Sequence, residues 1–213
     1  MTIVLDIETT GLYPAPTGNR TPDFIVAIGV LDESELHIFS APHEVFISGA
    51  PLAHIERNVI KNFAEWYSEV VEDTFITYNG AEFDLPFIAT KLLQSNEEGD
   101  ADLANQLLSN PNIDLIDYAR YITGRRIGKD DACRKLANLY VPRKTEGLWN
   151  ARIYKNPHLL TLNDHLEMLH HNAVDLTATA RLYNVVKTFP DFKEWMEGGI
   201  KNGEKTGHVP DRD

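Results

Sequence analysis

Two acidic side chains follow a short apolar run close to the N-terminus. Residues 3–5 (Ile-Val-Leu) predict a buried strand, and Asp6 and Glu8 come directly after it. Because residues two apart on a strand point to the same face, these carboxylates repel each other unless a cation lies between them. Oxygen ligands favour hard divalent ions such as Mg²⁺ or Mn²⁺. The alternative is a solvated strand end, since the D-x-E pattern is common by chance.

A third acid follows another predicted strand. Residues 75–78 predict a strand, the Asn79-Gly80 pair predicts a turn, and Asp84 opens the next helical pattern. An aspartate at a helix start is usually a cap, which is the alternative to a catalytic role here.

A fourth acid lies within the longest helical pattern, residues 161–187. Asp175 has small or apolar neighbours, so its burial is unfavourable unless it is paired or binds a metal. His171 precedes Asp175 by four residues and shares its helix face, whereas His170 precedes it by five and lies about 140° away around the helix. Helix phase therefore favours His171 as the partner of Asp175, with His170 as the alternative.

These features, in this order, resemble the three motifs of the DEDD (DnaQ-like) 3′–5′ exonucleases of the RNase H-like superfamily. Residues 6–12 (DIETTGL) are similar to the first motif, residues 79–84 (NGAEFD) to the second and residues 171–175 to the third. One subfamily has Tyr-x-x-x-Asp in its third motif and the other His-x-x-x-x-Asp. This chain offers His171 at the first spacing and His170 at the second, so the resemblance leaves both histidines as candidates.

The resemblance implies an enzyme that hydrolyses phosphodiester bonds of DNA or RNA from the 3′ end with two Mg²⁺ or Mn²⁺ ions. It implies that four acids hold the ions, that His171 or His170 is the general base, and that four further residues contact substrate. The metal ligands are Asp6, Glu8, Asp84 and Asp175, and the substrate contacts are Thr9, Leu12, Asn79 and Phe83. Core packing is the alternative for Leu12 and Phe83. Two other functions stay open: a catalytically silent nucleic-acid-binding module on the same fold, and a structure-specific endonuclease.

The order of predicted elements indicates an α/β fold. We predict an RNase H-like mixed β-sheet of about five strands, with an initial antiparallel three-stranded portion, flanked by helices. Residues 1–190 are predicted to form the exonuclease domain, and residues 191–213 a mobile C-terminal extension. The resemblance also suggests single-stranded 3′ ends as the nucleic-acid partner, and a polymerase or repair protein as a possible protein partner in proofreading or DNA repair.

Charge is unevenly distributed along the 213 residues, which carry a net charge of −12. The segment 120–155 contains ten basic and three acidic residues, and its interleaved aromatic residues suggest a track for a single strand. Within it, residues 130–140 predict a helix capped by Asp130 or Asp131. The alternative for the basic segment is an ordinary solvated surface.

Composition excludes several classes of protein. The single cysteine, Cys133, excludes an internal disulfide framework and a cysteine-rich zinc site. The sequence contains no run of 18 apolar residues, so no membrane span is predicted. The N-terminus does not resemble a signal peptide. These features favour a reducing, cytoplasmic setting.

Overall fold

The structure is a computed structural model that describes residues 2–15, 22–32, 35–70, 74–142 and 159–202. These residues form a five-stranded sheet in the order β3-β2-β1-β4-β5. The strands are β1 (Thr2–Thr9), β2 (Ile25–Leu31), β3 (Leu36–Ser40), β4 (Thr74–Thr77) and β5 (Asn112–Asp114). Strands β1 to β3 are antiparallel, β4 pairs parallel to β1, and β5 pairs parallel to β4. The predicted mixed sheet with an antiparallel three-stranded portion is confirmed.

Helices cover both faces of this sheet. They are α1 (His43–Ile47), α2 (Leu52–Tyr67), α3 (Asp84–Ser95), α4 (Asp100–Ser109), α5 (Leu115–Thr123), α6 (Lys129–Ala137), α7 (Leu162–Val186) and α8 (Pro190–Asn202). The prediction of a side-chain cap on α6 was wrong, because the N-cap is Gly128 and no side chain caps the helix. The helix begins one residue earlier than predicted, at Lys129.

The alternation of side chains along β1 decides which layer the acids face. Ile3, Leu5 and Ile7 belong to a core formed with α2, α3 and α4. Val4 belongs to a second core on the other face, formed with α5, α6, α7 and α8. Because side chains alternate between faces of a strand, Asp6 and Glu8 point to the same side as Val4, towards α7.

A glycine allows α7 to pack closely on the sheet. Gly29 of β2 is the register partner of Asp6 on β1. A Cβ atom at position 29 would overlap Asn172 Oδ1 and lie 2.6 Å from Leu176 Cδ1, both on α7. The absence of a side chain therefore lets α7 approach the strand that carries the acids.

The C-terminal extension begins as a packed helix. Helix α7 ends at Val186, and Pro190 is the first residue of α8. Phe192 of α8 is buried, and its ring centroid lies 4.9 Å from that of Tyr118 on α5. Apolar burial of Phe192 thus attaches α8 to α5, and the mobility of residues 191–213 stays a prediction. Residues 203–213 lie outside the described part of the chain.

Among the described helices, none is both long and apolar enough to span a bilayer.

Candidate active site

Strand β1 delivers Asp6 and Glu8 to the surface on which α7 packs. Both residues pair with β2, Asp6 opposite Gly29 and Glu8 opposite Ala27. Glu8 is buried, and Asp6 is partly exposed. The two carboxylates therefore lie on one face of the central strand, as their spacing predicts.

The Asp84 side chain contacts β1 at the edge that pairs with β4, opposite to the edge that pairs with β2. Strand β4 pairs with β1 over Thr2–Val4, and beyond that point the N–H of Ile7 donates a 3.0 Å hydrogen bond to Asp84 Oδ1. Asp84 is the first residue of α3, whose N-cap is Phe83 and lacks a side-chain cap bond. The carboxylate thus contacts β1, so the capping alternative does not describe this aspartate.

Helix α7 contributes His171 and Asp175 on one face. Asp175 is buried, as the apolar character of its neighbours predicts. His171 Nδ1 lies 2.8 Å from Glu8 Oε1. When Glu8 is ionised, Nδ1–H donates to it, and the basic lone pair of the neutral imidazole is then on Nε2. His170 is exposed and lines a different groove with Tyr140 and Val141.

A lysine joins the acids of β1 and α7. Lys129 Nζ lies 2.7 Å from Asp175 Oδ2 and 3.4 Å from Asp6 Oδ1. In the sequence, Lys129 stands out only as one residue of the basic segment 120–155. Nothing there indicates that it enters the acidic cluster. The contact brings together residues that are 123 positions apart.

Asn172 orients Asp6 from α7. It is fully buried, and its Nδ2 donates to the Asp6 carbonyl oxygen at 3.2 Å and to Asp6 Oδ2 at 3.0 Å. These two bonds attach the helix to the backbone and the carboxylate of the same residue.

Asp114 stabilises the turn that precedes Asp84, and it was not among the residues predicted from the sequence. Its carboxylate is buried and accepts backbone N–H bonds from Asn79 at 2.6 Å, Ala81 at 2.9 Å and Ile116 at 3.2 Å. Asn79 has φ 73°, a left-handed conformation that asparagine tolerates better than most residues. An acid at the end of a short apolar strand was the available signal, since the same pattern identified Asp6.

Burial shifts the acid–base equilibria of two carboxyl groups of the site, Glu8 and Asp84. Burial raises the pKa of Glu8 from 4.5 to about 7. The hydrogen bond with His171 opposes this rise, and the charge of Asp6 adds to it. Burial also raises the pKa of Asp84 well above its ordinary value, and the charge of Asp6 adds to this. A positive charge close to these carboxyl groups would favour their ionised form and oppose the effect of burial.

The chemistry of these donors fits a hard divalent cation, because Asp6, Glu8, Asp84 and Asp175 all offer carboxylate oxygens. In their present arrangement, however, no three His, Cys, Asp or Glu residues of the described chain are positioned to hold a metal ion. Lys129 supplies the cation between Asp6 and Asp175. An ion would therefore require the ammonium group to move.

The four predicted substrate contacts, Thr9, Leu12, Asn79 and Phe83, differ in how far their side chains are exposed. Thr9 Oγ1 donates to the Gly11 carbonyl at 2.6 Å, and Leu12, the next residue after this turn, is 68% exposed. Leu12 is thus available to a ligand and is not a core residue. Phe83 is half-buried and packs its ring against Phe87, so core packing accounts for part of its surface. Asn79 Oδ1 accepts a hydrogen bond from Arg126.

Part of the basic segment can be located. Arg126 contacts Asn79 and lies 3.4 Å from Glu82, and Lys129 enters the acid cluster. Residues 143–158, with four of the ten basic side chains, lie outside the described residues. The proposed single-strand track therefore stays a prediction.

Comparison with known proteins gives the family. The model of the RNase H superfamily matches residues 3–187. No match was found among the sequences of curated proteins.

Solved structures with a similar fold include two kinds of protein. The family B DNA polymerase of Pyrobaculum calidifontis has a TM-score of 0.56 at 15% identity, over 87% of this chain and 24% of that chain. Exonuclease I of E. coli in complex with a 5cy-dT13 oligonucleotide has a TM-score of 0.50 at 15% identity, over 92% of this chain and 43% of that chain. The chain spans about a quarter of the polymerase and less than half of exonuclease I, and at this identity the likeness concerns the fold. With the family match covering residues 3–187, the chain belongs to the RNase H superfamily.

Proposed function

We propose that this protein is a metal-dependent 3′–5′ exonuclease that hydrolyses phosphodiester bonds at the 3′ ends of DNA or RNA. The observation that carries this proposal is the meeting of Asp6, Glu8, Asp84 and Asp175, from three distant parts of the chain, around β1 and α7. Packing of a helix on a sheet does not require four buried or half-buried acids. Such a cluster is unfavourable for stability, because removing a charge from water costs free energy.

In this proposal the four acids hold two Mg²⁺ or Mn²⁺ ions. When bound, such ions neutralise charge on the attacked phosphate and make water more acidic. His171 accepts the proton of the attacking water at Nε2, while the bond between its Nδ1 and Glu8 fixes the plane of the ring. Asn172 keeps Asp6 in place through its two hydrogen bonds.

The motif resemblance supports the 3′ polarity of this proposal. Thr9 follows Glu8 directly and Leu12 lies three residues further along the chain, so both are suited to contact the last nucleotide of a strand whose terminal phosphodiester lies at the acids. The exposure of Leu12 supports contact with a base. Asn79 and Phe83 precede Asp84 in the second motif; Asn79 is proposed to contact the scissile region, and Phe83 to stack near the terminal base.

The test is cleavage of a 5′-labelled single-stranded oligonucleotide, in matched DNA and RNA versions, with Mg²⁺ or Mn²⁺. We expect a ladder of products shortened by one nucleotide at a time, which EDTA and Asp175→Asn both abolish. Urea unfolding of Asp175→Asn serves as the control that the fold persists. A single internal cut would instead indicate an endonuclease.

A nucleic-acid-binding module without hydrolysis is the second candidate, and the ion pairs of Lys129 favour it. In that case the ammonium group stays paired with Asp6 and Asp175 and leaves no place for an ion between them. Binding of the labelled strand without cleavage at any concentration of Mg²⁺ or Mn²⁺ would select this candidate over the exonuclease.

A further inference from the structure

Lys129 is a largely buried cation within the acidic cluster. Its side chain is 12% exposed, and its ammonium group contacts one carboxylate from β1 and one from α7. Burial alone lowers the pKa of an ammonium group, but Asp6 and Asp175 outweigh burial here and raise the pKa of Lys129. One ammonium group is therefore shared by two carboxylates from different elements.

The position of this charge is set by helix packing. Cys133 of α6 lies one turn after Lys129, is fully buried, and its Sγ is 3.7 Å from the Ala178 carbonyl oxygen of α7. Ala178 lies about one turn after Asp175 on α7. Contacts between the two helices thus hold the base of the Lys129 side chain beside Asp175.

We propose that Lys129 is a built-in counter-ion that competes with divalent cations for Asp6 and Asp175. In the metal-free protein, the ammonium group holds the two acids together and limits their repulsion. An ion that binds these carboxylates must displace the ammonium group, because both cations use the same oxygen atoms. This inference rests on the metal site of the proposed function.

Lys135 provides a matched control on the same helix. Its ammonium group lies 3.4 Å from Asp131, also on α6, and its side chain is 41% exposed. Replacing Lys135 changes the net charge by the same amount as replacing Lys129, without affecting the acidic cluster.

The first experiment is calorimetric titration with MnCl₂ of the wild type, Lys129→Met, Lys129→Arg and Lys135→Met. We expect Lys129→Met to bind Mn²⁺ at least tenfold more tightly, and the other two variants to bind as the wild type does. Binding of Lys129→Met within twofold of the wild type, or weaker, overturns the proposal.

The second experiment needs no substitution and uses a lysine-directed acylating reagent with quantification by mass spectrometry. In EDTA, we expect Lys129 of the wild type to react much more slowly than Lys135. Saturating Mn²⁺ should raise labelling of Lys129 at least threefold relative to Lys135. Unchanged labelling of Lys129 means that the ammonium group is not displaced and overturns the proposal.

These outcomes separate the inference from the proposed function. Tighter Mn²⁺ binding by Lys129→Met, in a protein that cuts no oligonucleotide, supports the counter-ion and refutes the exonuclease. Cleavage by a wild type whose Mn²⁺ affinity does not depend on Lys129 supports the exonuclease and refutes the counter-ion.

Discussion

Glu8→Gln should make the metal-free protein less sensitive to pH. Burial is the main reason that the pKa of Glu8 rises from 4.5 to about 7, and Glu8 is 8% exposed. In the unfolded chain the carboxyl group ionises at its ordinary pKa, so between pH 4.5 and about 7 the folded protein retains a proton that the unfolded chain has lost. The free energy of unfolding therefore falls as pH rises through this range.

The size of this effect follows from the pKa difference. Between 4.5 and about 7, at about 1.4 kcal/mol per pKa unit, the loss attributable to Glu8 is roughly 3 kcal/mol. Glutamine does not ionise, so Glu8→Gln removes this contribution. Relative to the wild type, the variant should gain up to that amount of stability between pH 5 and pH 8.

Urea unfolding in EDTA at pH 5, 6, 7 and 8, followed by circular dichroism, measures this difference. Glu69→Gln, at an exposed position after α2, is the control and should follow the wild type at each pH. Parallel curves for the wild type and Glu8→Gln would refute the reasoning, because Glu8 would then titrate alike in the folded and unfolded chains. Saturating Mn²⁺ should weaken the pH dependence of the wild type, since the ion favours the ionised carboxylate.

Three further predictions concern other side chains at the site. Gly29→Ala puts a Cβ where Asn172 Oδ1 lies, and we expect a loss of about 1–3 kcal/mol in urea unfolding; unchanged stability would mean that α7 does not pack this closely on β2. Asp114→Ala leaves three backbone N–H groups without their acceptor, so we expect a loss of about 2 kcal/mol or more and faster hydrogen exchange at the two turn amides it binds; slow exchange there would contradict its role. His171→Ala should reduce the cleavage rate on the order of a hundredfold, while His170→Ala, at an exposed position, should stay near the wild type; equal, small losses would exclude both as the general base.

The sequence by itself determined the elements that carry the acids. Strand alternation sets Asp6 and Glu8 on one face, and helix periodicity sets His171 and Asp175 on one face, because both periods are properties of the local backbone. The antiparallel strands β1 to β3 were predictable for the same reason, since short apolar segments separated by turn residues pair locally. The resemblance to three ordered motifs added the superfamily.

Only the tertiary structure decided how these elements meet. The contact of Lys129 with Asp6 joins positions 123 apart, and it depends on how α6 packs on α7. The three bonds of Asp114 depend on where β5 ends relative to the turn after β4, which pairing along the sheet sets. Local periodicity contains no information on such distances, because they arise from the packing of side chains contributed by separate elements. The same reason explains why the exposure of Leu12 and the packing of Phe192 were not predictable from their residue types.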